Sequence, residues 1–186
     1  MAITKLGVAA LPAGSIVKSE TKIISAFGDT AVASTSSYND VPGTEVSFTR
    51  TFANSKILGL WNLKISSALN VYLKLNRKIG SGSYAVVNVG ATGTQGGRTS
   101  AKQMWGALYN HTGTNAMAYG IHAQLYTFLD ETGEGLTDTL DAISYKVSLS
   151  GSGTANKLML NIDGHDSATN YNKTVESSVT FMEIKV

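Results

Sequence analysis

Residues 56–79 read KILGLWNLKISSALNVYLKLNRKI, and this stretch decides the fold class. In its second half, apolar and polar side chains alternate without a break. The apolar positions share one face: Leu69, Val71, Leu73 and Leu75. This two-residue period is typical of a half-buried β-strand, whereas a helix would distribute the same leucines around its axis.

The first half of the stretch has the same period. Its apolar positions are Ile57, Trp61, Leu63 and Ile65. The segment Ser-Ser-Ala at residues 66–68 is short and turn-like, so the two halves are predicted to pair as an antiparallel hairpin. We expect this hairpin to be the centre of an all-β core.

Short alternating runs separated by turn residues continue along the rest of the chain. We count roughly nine or ten, without a helical period, as in a sandwich or jelly roll. Two of these segments are predicted to turn a row of side chains towards the core. In residues 142–149 the row is Ile143, Tyr145 and Val147, and in the second half of the hairpin it is Val71, Leu73 and Leu75. The predicted fold class is all-β, a single jelly-roll or β-sandwich domain over residues 15–186 that follows an N-terminal arm, residues 1–14.

The composition excludes several classes of protein. The chain of 186 residues contains no Cys, which rules out a disulfide framework and thiolate metal sites and fits folding in a reducing cytoplasm. Charged residues make up 15% of the chain, below the usual share of about 25%, and a weakly charged surface is typical of proteins that bind other proteins. The net charge is +2 with dispersed basic residues, and no apolar run is long enough to span a bilayer, so we predict neither nucleic acid nor membrane as a partner.

No motif in the sequence supplies catalytic chemistry. The histidines, His111, His122 and His165, are not at the spacing of a hydrolase triad, and no G-x-S-x-G motif is present. We therefore predict that the protein is not an enzyme and requires no cofactor.

An acidic segment at residues 130–141, DETGEGLTDTLD, raises the question of a calcium site. Its carboxylates are those of Asp130, Glu131, Glu134, Asp138 and Asp141. Their spacing does not match the D-x-[DN]-x-[DN]-G loop, so we predict a solvated loop without a metal and keep calcium as the alternative. The turn at residues 163–166, Asp-Gly-His-Asp, is likewise predicted to be an Asx turn and not a metal site.

Aromatic residues within the predicted strands are the stronger candidates for binding. Large rigid rings on a strand suit either subunit packing or stacking on sugars, and the alternative for each ring is a place in the core. The tyrosines predicted to contact a partner are Tyr72, Tyr84, Tyr119 and Tyr126.

The N-terminal arm is the second candidate for a binding element. It has small apolar side chains without a period, and Pro12 and Gly14 separate it from the first strand. We predict that the arm binds a partner, in one form by adding a strand to an exposed sheet edge; a disordered tail is the alternative. Its candidate contact residues are Ile3, Leu6, Val8 and Leu11.

Several short blocks occur in a fixed order along the chain. They are residues 6–17 (LGVAALPAGSIV), 36–48 (SSYNDVPGTEVSF), 54–58 (NSKIL), 75–77 (LNR), 79–80 (IG), 128–130 (FLD), 144–147 (SYKV) and 178–184 (SVTFMEI). They are spread along most of the chain, from residue 6 to residue 184, and the ordered set resembles the short jelly-roll virion surface proteins of tailed phages, especially phages of marine and cyanobacterial hosts. Domains of this family look similar to the trimeric jelly rolls of the tumour-necrosis-factor and C1q type.

This resemblance implies a phage virion structural protein that is made in the host cytoplasm and lies on the particle surface. It would assemble as a homotrimer and bind the major capsid protein or a tail protein of the same virion. The chain has no coiled coil and no repetitive shaft, which favours a capsid decoration (cement) protein or a short spike over a complete fibre. A tail-fibre or receptor-binding module that recognises host surface carbohydrate is the alternative, and the choice between head and tail stays open.

Overall fold

In the computed structural model, two antiparallel β-sheets pack face to face around one apolar core. The structure describes residues 7, 10–26, 28–31, 38–67, 71–87, 106–108, 121–131, 135–151, 157–161 and 175–186. The strands in this part of the chain are β1 (Ile16–Ile24), β2 (Gly28–Ala31), β3 (Asn39–Asp40), β4 (Val46–Phe48), β5 (Lys56–Ser67), β6 (Val71–Ile79), β7 (Ala85–Val86), β8 (Gly106–Leu108), β9 (His122–Asp130), β10 (Ile143–Gly151), β11 (Lys157–Leu160) and β12 (Ser177–Ile184).

The order of the strands defines a jelly roll. The first sheet, sheet A, runs β1-β12-β5-β9, and β11 and β2 extend it beside the second half of β5. The second sheet, sheet B, places β10 between β6 and the short strands β3 and β4, while β7 and β8 pair with the other side of β6. The long connections between the two sheets form Greek keys, which is the jelly-roll arrangement. The predicted all-β fold class is confirmed.

The predicted central hairpin is wrong. β5 lies in sheet A and pairs with β9 on one side and with β12 and β11 on the other, whereas β6 lies in sheet B and pairs with β10. Both strands have the predicted alternation, but their apolar faces oppose each other across the core and do not lie side by side. A two-residue period identifies a buried face and leaves the pairing partner undecided.

The core contains the predicted residues and a group of packed aromatic rings. Leu73, Leu75, Ile143, Tyr145 and Val147 are all buried, as predicted, and the side chain of Val71 lies outside the described residues. Phe181 is at the centre of the rings: its centroid lies 5.4 Å from that of Phe48, 6.3 Å from that of Trp61 and 5.3 Å from that of Tyr145. Rings at such distances contribute directional contacts in addition to the area that they bury.

Gly59 in β5 makes room for the ring of Phe128 on the neighbouring strand. The two residues are opposite each other in the register of β5 and β9, and a Cβ at Gly59 would lie 2.1 Å from Cε1 of Phe128. No other residue type could keep the ring in this place. The ring then reaches Tyr145 in the facing sheet, with centroids 5.1 Å apart.

The end of the arm is fixed to the last strand. Gly14 N donates to Lys185 O at 2.7 Å, Lys185 N donates to Ser15 O at 3.0 Å, and Lys185 Nζ donates to Leu11 O at 2.6 Å. Gly14 has a φ of +84°, a backbone conformation that favours glycine. The start of β1 therefore lies beside the end of β12.

Candidate functional site

Among the described residues, the largest concentration of buried charge lies between the sheets, around Asp130 at the end of β9. The Asp130 side chain is fully buried. Arg77 of β6 donates to its Oδ1, and the hydroxyl of Tyr145 on β10 donates to its Oδ2 at 2.7 Å. Burial, together with the charge of Asp130, raises the pKa of Tyr145, so the phenol stays protonated and acts as a donor.

A second buried carboxylate, that of Glu183 on β12, lies at the same end of the sandwich. Its oxygens accept hydrogen bonds from the backbone N–H groups of Thr51 and Phe52 and from Ser55 Oγ, at 2.7 to 2.8 Å. Burial alone would raise the pKa of Glu183, but these donors hold it below its ordinary value. The carboxylate is therefore charged in the folded protein at neutral pH.

Arg50 connects this carboxylate region to the segment after Asp130. Its Nη1 donates to Ser55 O at 2.7 Å, and its Nη2 donates to Thr139 O at 2.8 Å and Thr137 O at 2.5 Å. Burial lowers the pKa of Arg50, which nevertheless stays far above neutral pH. Leu136, in the same segment, is buried, so the segment is attached by an apolar anchor as well as by Arg50.

These residues, defined here as the buried polar cluster, are Arg50, Ser55, Arg77, Asp130, Tyr145 and Glu183. Its two guanidinium groups and two carboxylates balance in charge, and both oxygens of each carboxylate accept hydrogen bonds. Such an arrangement holds strands in place, because a buried ion is tolerated only when it is paired and hydrogen-bonded. It offers neither a free nucleophile nor a base that could receive a proton from a substrate.

The cluster bears on the calcium alternative. Asp130 uses both its oxygens within the protein, and Glu131 pairs with Lys56 Nζ at 2.5 Å. Among the described residues no group of three or more His, Asp or Glu side chains is placed to hold a metal ion. Glu134 and the turn at residues 163–166 lie outside the described residues.

Five of the eight blocks that carry the sequence resemblance contribute a residue to this cluster. Ser55 comes from residues 54–58, Arg77 from residues 75–77, Asp130 from residues 128–130 and Tyr145 from residues 144–147, and Glu183 is in the last block. Spacing alone could not tell that residues 15 to 128 positions apart share one site. These five blocks therefore have a structural role in the fold.

The turn at residues 41–44, Val-Pro-Gly-Thr, has a structural role of the same kind. Val41 N donates to Val147 O at 2.9 Å, and Val147 N donates to Thr44 Oγ1 at 3.1 Å, which fixes the turn to the edge of β10. Gly43 has a φ of +76°, and a Cβ there would lie 2.1 Å from Cβ of Ala26. Only glycine suits this position.

The outward side of sheet A is uncharged over its centre. Three rows of side chains cross the strands β1, β12, β5 and β9 in register. The rows are Ser19-Met182-Leu58-Leu129, Thr21-Thr180-Leu60-Thr127 and Ile23-Ser178-Asn62-Leu125. We call these twelve residues the neutral face. Leu125 is 68% exposed, Ile23 58% and Leu129 40%, which is unusual for large apolar side chains on a regular strand.

The outward side of sheet B has the opposite character. Lys74, Asn76 and Lys78 of β6 lie beside Ser144, Lys146 and Ser148 of β10. The ammonium groups pack on tyrosine rings: Lys74 Nζ is 3.7 Å from the centroid of Tyr38, and Lys146 Nζ is 4.0 Å from that of Tyr84. Lys146 also pairs with Asp40 at 2.5 Å, and Asn76 Nδ2 donates to Ser148 Oγ at 2.7 Å. We call this surface the lysine–tyrosine face.

The predicted partner-binding tyrosines do not share one surface. Tyr72 and Tyr84 are half-buried on the side of sheet B, whereas Tyr126 points from β9 into the sandwich, where burial raises its pKa to about 12. Tyr119 lies outside the described residues. Burial, followed by the interaction with Glu45, raises the pKa of Tyr84.

Of the arm residues, Leu11 is described and half-buried, whereas Ile3, Leu6 and Val8 lie outside the described residues. Two features escaped the sequence analysis. The buried polar cluster could have been suspected from charged residues inside otherwise apolar strands, such as Glu183 in β12. The only sequence signal for the neutral face is the alternation in β9, which separates Ala123 and Leu125 from His122 and Tyr126. This alternation does not indicate which of the two rows faces solvent.

Comparison with known proteins gives structural neighbours and nothing at the level of sequence. No protein-family model matches the chain, and no curated protein matches it. A structure of the infectious bursal disease virus Gx strain has 12% identity and a TM-score of 0.43, over 99% of this chain and 41% of that chain. The crystal structure of the infectious bursal disease virus VP2 subviral particle has 10% identity and a TM-score of 0.41, over 99% of this chain and 46% of that chain.

This chain therefore spans less than half the length of either neighbour. Identities and TM-scores as low as these carry no information about function. In the described part of the chain, no helix is long and apolar enough to cross a bilayer.

Proposed function

We propose that the protein is a structural component of a phage virion, exposed on the particle surface as a capsid decoration (cement) protein or a short spike. It assembles as a homotrimer and binds the major capsid protein or a tail protein. The ordered sequence blocks support the virion class, and the jelly-roll fold is consistent with it. The observation that carries the proposal of an assembly protein is the contrast between the uncharged neutral face and the charged lysine–tyrosine face.

This contrast favours assembly over catalysis. Exposed leucines on β9 and an exposed isoleucine on β1 lie on either side of the neutral face, and contiguous exposed apolar surface of more than a few hundred Å² typically marks an interaction site. The buried polar cluster, the strongest concentration of chemically reactive groups in the described residues, is closed within the fold. A role in assembly is therefore proposed in preference to catalysis.

The arm is the proposed anchor to the particle. Gly14 and Leu11 are bound to Lys185, so the arm leaves the domain from one defined point at the end of β12. An extended apolar segment that starts from a fixed point can add a strand to a partner sheet through backbone hydrogen bonds and needs few specific side chains. In this arrangement the jelly roll projects away from the particle.

Composition of purified particles tests the function. The protein should be found by quantitative mass spectrometry in virions purified by density gradient, with hundreds of copies for a decoration protein and a handful for a tail device. Particles that lack the protein would contradict the proposal.

Deletion of residues 1–13 tests the anchor. The truncated protein should fold and self-associate as the full chain does but should no longer bind particles that lack the protein. Binding at full occupancy by the truncated protein would place the anchor within the jelly roll. Circular dichroism and thermal unfolding of the truncated protein serve as the control for folding.

A carbohydrate-binding receptor module is the second candidate, and the lysine–tyrosine face favours it. Tyrosine rings, the Asn76 amide and lysine ammonium groups lie there close together, and stacking and hydrogen bonding to a sugar use groups of these kinds. Binding of the purified protein to host surface polysaccharide, lost on replacement of Tyr72 by Ala, would support this candidate. Equal binding by wild type and Tyr72→Ala would argue against it.

A further inference from the structure

We infer that the neutral face is the surface through which copies of this chain associate, an inference that rests on the proposed homotrimer. The occupant of the face is a second copy of the chain, because the face is uncharged and rigid.

The charge of the face selects an uncharged partner surface. None of the twelve residues of the neutral face is ionisable, although the chain as a whole carries 28 Lys, Arg, Asp and Glu residues, the sum of 15 and 13. A charged surface docked on it would lose water without gaining a counter-charge, at a cost that grows with burial. The same face on another copy is uncharged and offers leucine, methionine and hydroxyl side chains to pack against.

The charges begin at the ends of the face. Lys56 lies one row beyond Leu58 and pairs with Glu131, and Lys64 lies one row beyond Asn62, opposite Ala123. Depletion of charged residues at the centre, with charged residues at the border, is the usual organisation of a protein–protein interface. The lysine–tyrosine face lacks this organisation, since its lysines lie on the central strands.

The face is about half the size of a standard interface. Strands rise about 3.3 Å per residue and lie about 4.8 Å apart, so three rows across four strands present roughly 400 Å². Each partner in a standard interface buries about 800 Å², so a copy docked on the face would also cover the polar and charged rows at its ends. A smaller ligand would leave most of the exposed leucines in water.

The face is also rigid. Thr21 Oγ1 and Thr180 Oγ1 are 2.9 Å apart and hydrogen-bonded across β1 and β12, and every position of the face lies on a paired strand. A preformed surface loses little conformational entropy on association, which favours binding between identical folded copies.

The free side of β1 is unsuited to the same role. Its inward residues Lys18, Glu20 and Lys22 form ion pairs at the edge of the sandwich. Charged side chains that point inward on an edge strand discourage the addition of another strand. Association through the face of sheet A is therefore favoured over edge-to-edge pairing at β1.

The test introduces a charge inside and outside the neutral face. Leu125→Glu places a carboxylate in the neutral face at a position that is 68% exposed, so the fold should tolerate it. Leu140→Glu makes the same substitution outside the neutral face, at a position that is 54% exposed, and is the matched control. Leu60→Glu, in the middle row, is the second variant of the neutral face. Sedimentation velocity over a range of micromolar concentrations measures association, and thermal unfolding confirms that each variant is folded.

We expect the wild type and Leu140→Glu to associate equally, and Leu125→Glu to weaken association at least tenfold. A monomeric wild type, or Leu125→Glu and Leu60→Glu variants that associate like the wild type, would overturn the inference. Loss of association in Leu140→Glu but not in Leu125→Glu would place the interface near Leu140 and overturn the inference too. The particle-composition experiment is independent: a protein present in virions but monomeric in solution would refute this inference and the proposed homotrimer, and would leave the proposed place in the virion intact.

Discussion

The Tyr145 hydroxyl donates a 2.7 Å hydrogen bond to Asp130 Oδ2 and thereby connects sheet B to the end of sheet A inside the sandwich. Arg77 donates to the other oxygen of the same carboxylate. One carboxylate thus joins β6, β9 and β10. Because neither carboxylate oxygen is left to water, the interaction depends on all three residues being present.

Replacement of Asp130 by Asn should strongly destabilise the protein. Arg77 would remain buried without its counter-charge, and breaking a buried ion pair in this way costs about 3–5 kcal/mol. Urea unfolding measures the loss. Glu131→Gln is the control, because the exposed pair of Glu131 with Lys56 contributes about 0–1 kcal/mol. Equal losses in the two variants would contradict a structural role for the buried polar cluster.

Truncation of Leu73 tests the core. Leu73 is fully buried on β6. Leu73→Ala should lower the free energy of unfolding by about 2–5 kcal/mol, through lost transfer energy and the cavity that remains. Lys74→Ala, one position away on the outward side of the same strand, should cost much less. A similar cost for both substitutions would show that the assigned faces of β6 are interchanged.

Much of the fold could be predicted because alternation reports burial directly. Leu73, Leu75, Ile143, Tyr145 and Val147 are buried as their spacing predicts. The pairing of strands could not be predicted, since β5 and β6 would show the same alternation as neighbours in one sheet or as partners across the core. Which strands pair depends on long-range packing, and the local sequence carries no information about that packing.

The candidate binding and metal sites could likewise be predicted only in part from the sequence. The acidic segment and the tyrosines stand out in the sequence by residue type, yet the structure places Asp130 in an ion pair and Tyr126 inside the sandwich. Residue type does not indicate whether a side chain on a strand faces solvent or the core. In β9 the row with Leu125 faces solvent, and the row with Tyr126 and Asp130 faces the core. An apolar strand row that faces water is visible only once the neighbouring strands are known.

Addition of a single methyl group at Gly59 should disturb the core. The new Cβ of Gly59→Ala would lie 2.1 Å from the Phe128 ring, which would have to move away from Tyr145. Overpacking of this kind typically costs about 1–3 kcal/mol. In the double variant with Phe128→Leu, the smaller side chain should relieve the conflict, so the two losses measured by urea unfolding should sum to more than the loss of the double variant. Strict additivity would argue against the contact.

Removal of divalent metal should leave stability unchanged. Asp130 and Glu131 are engaged with Arg77, Tyr145 and Lys56, and these contacts would have to break before either carboxylate could bind calcium. Thermal unfolding with EDTA and with excess calcium should therefore give the same midpoint. A midpoint that rises with calcium would revive the calcium alternative, because a ligand that binds the folded state stabilises it by mass action.

The effect of Glu183→Gln should depend on pH. Hydrogen bonds from Ser55 Oγ and from the N–H groups of Phe52 and Thr51, acting against burial, hold the pKa of Glu183 below its ordinary value of 4.5. A carboxyl with a lowered pKa in the folded state stabilises the protein fully above its unfolded pKa, and this contribution is lost as the pH falls through the folded pKa. The variant should therefore be less stable than the wild type at neutral pH, where a Gln amide presents an NH₂ group to the N–H donors.

The difference in stability between wild type and Glu183→Gln should shrink as the pH is lowered from about 5 towards the acid limit, because the wild-type carboxyl then becomes neutral as well. Urea unfolding at a series of pH values measures it. Glu20→Gln is the control: the hydrogen bond from Lys22 lowers the pKa of Glu20 also, but that carboxylate lies near the surface, so its loss should change stability little at any pH. A difference for Glu183→Gln that stays constant across the acid range would show that the carboxylate is held by its shape and not by its charge.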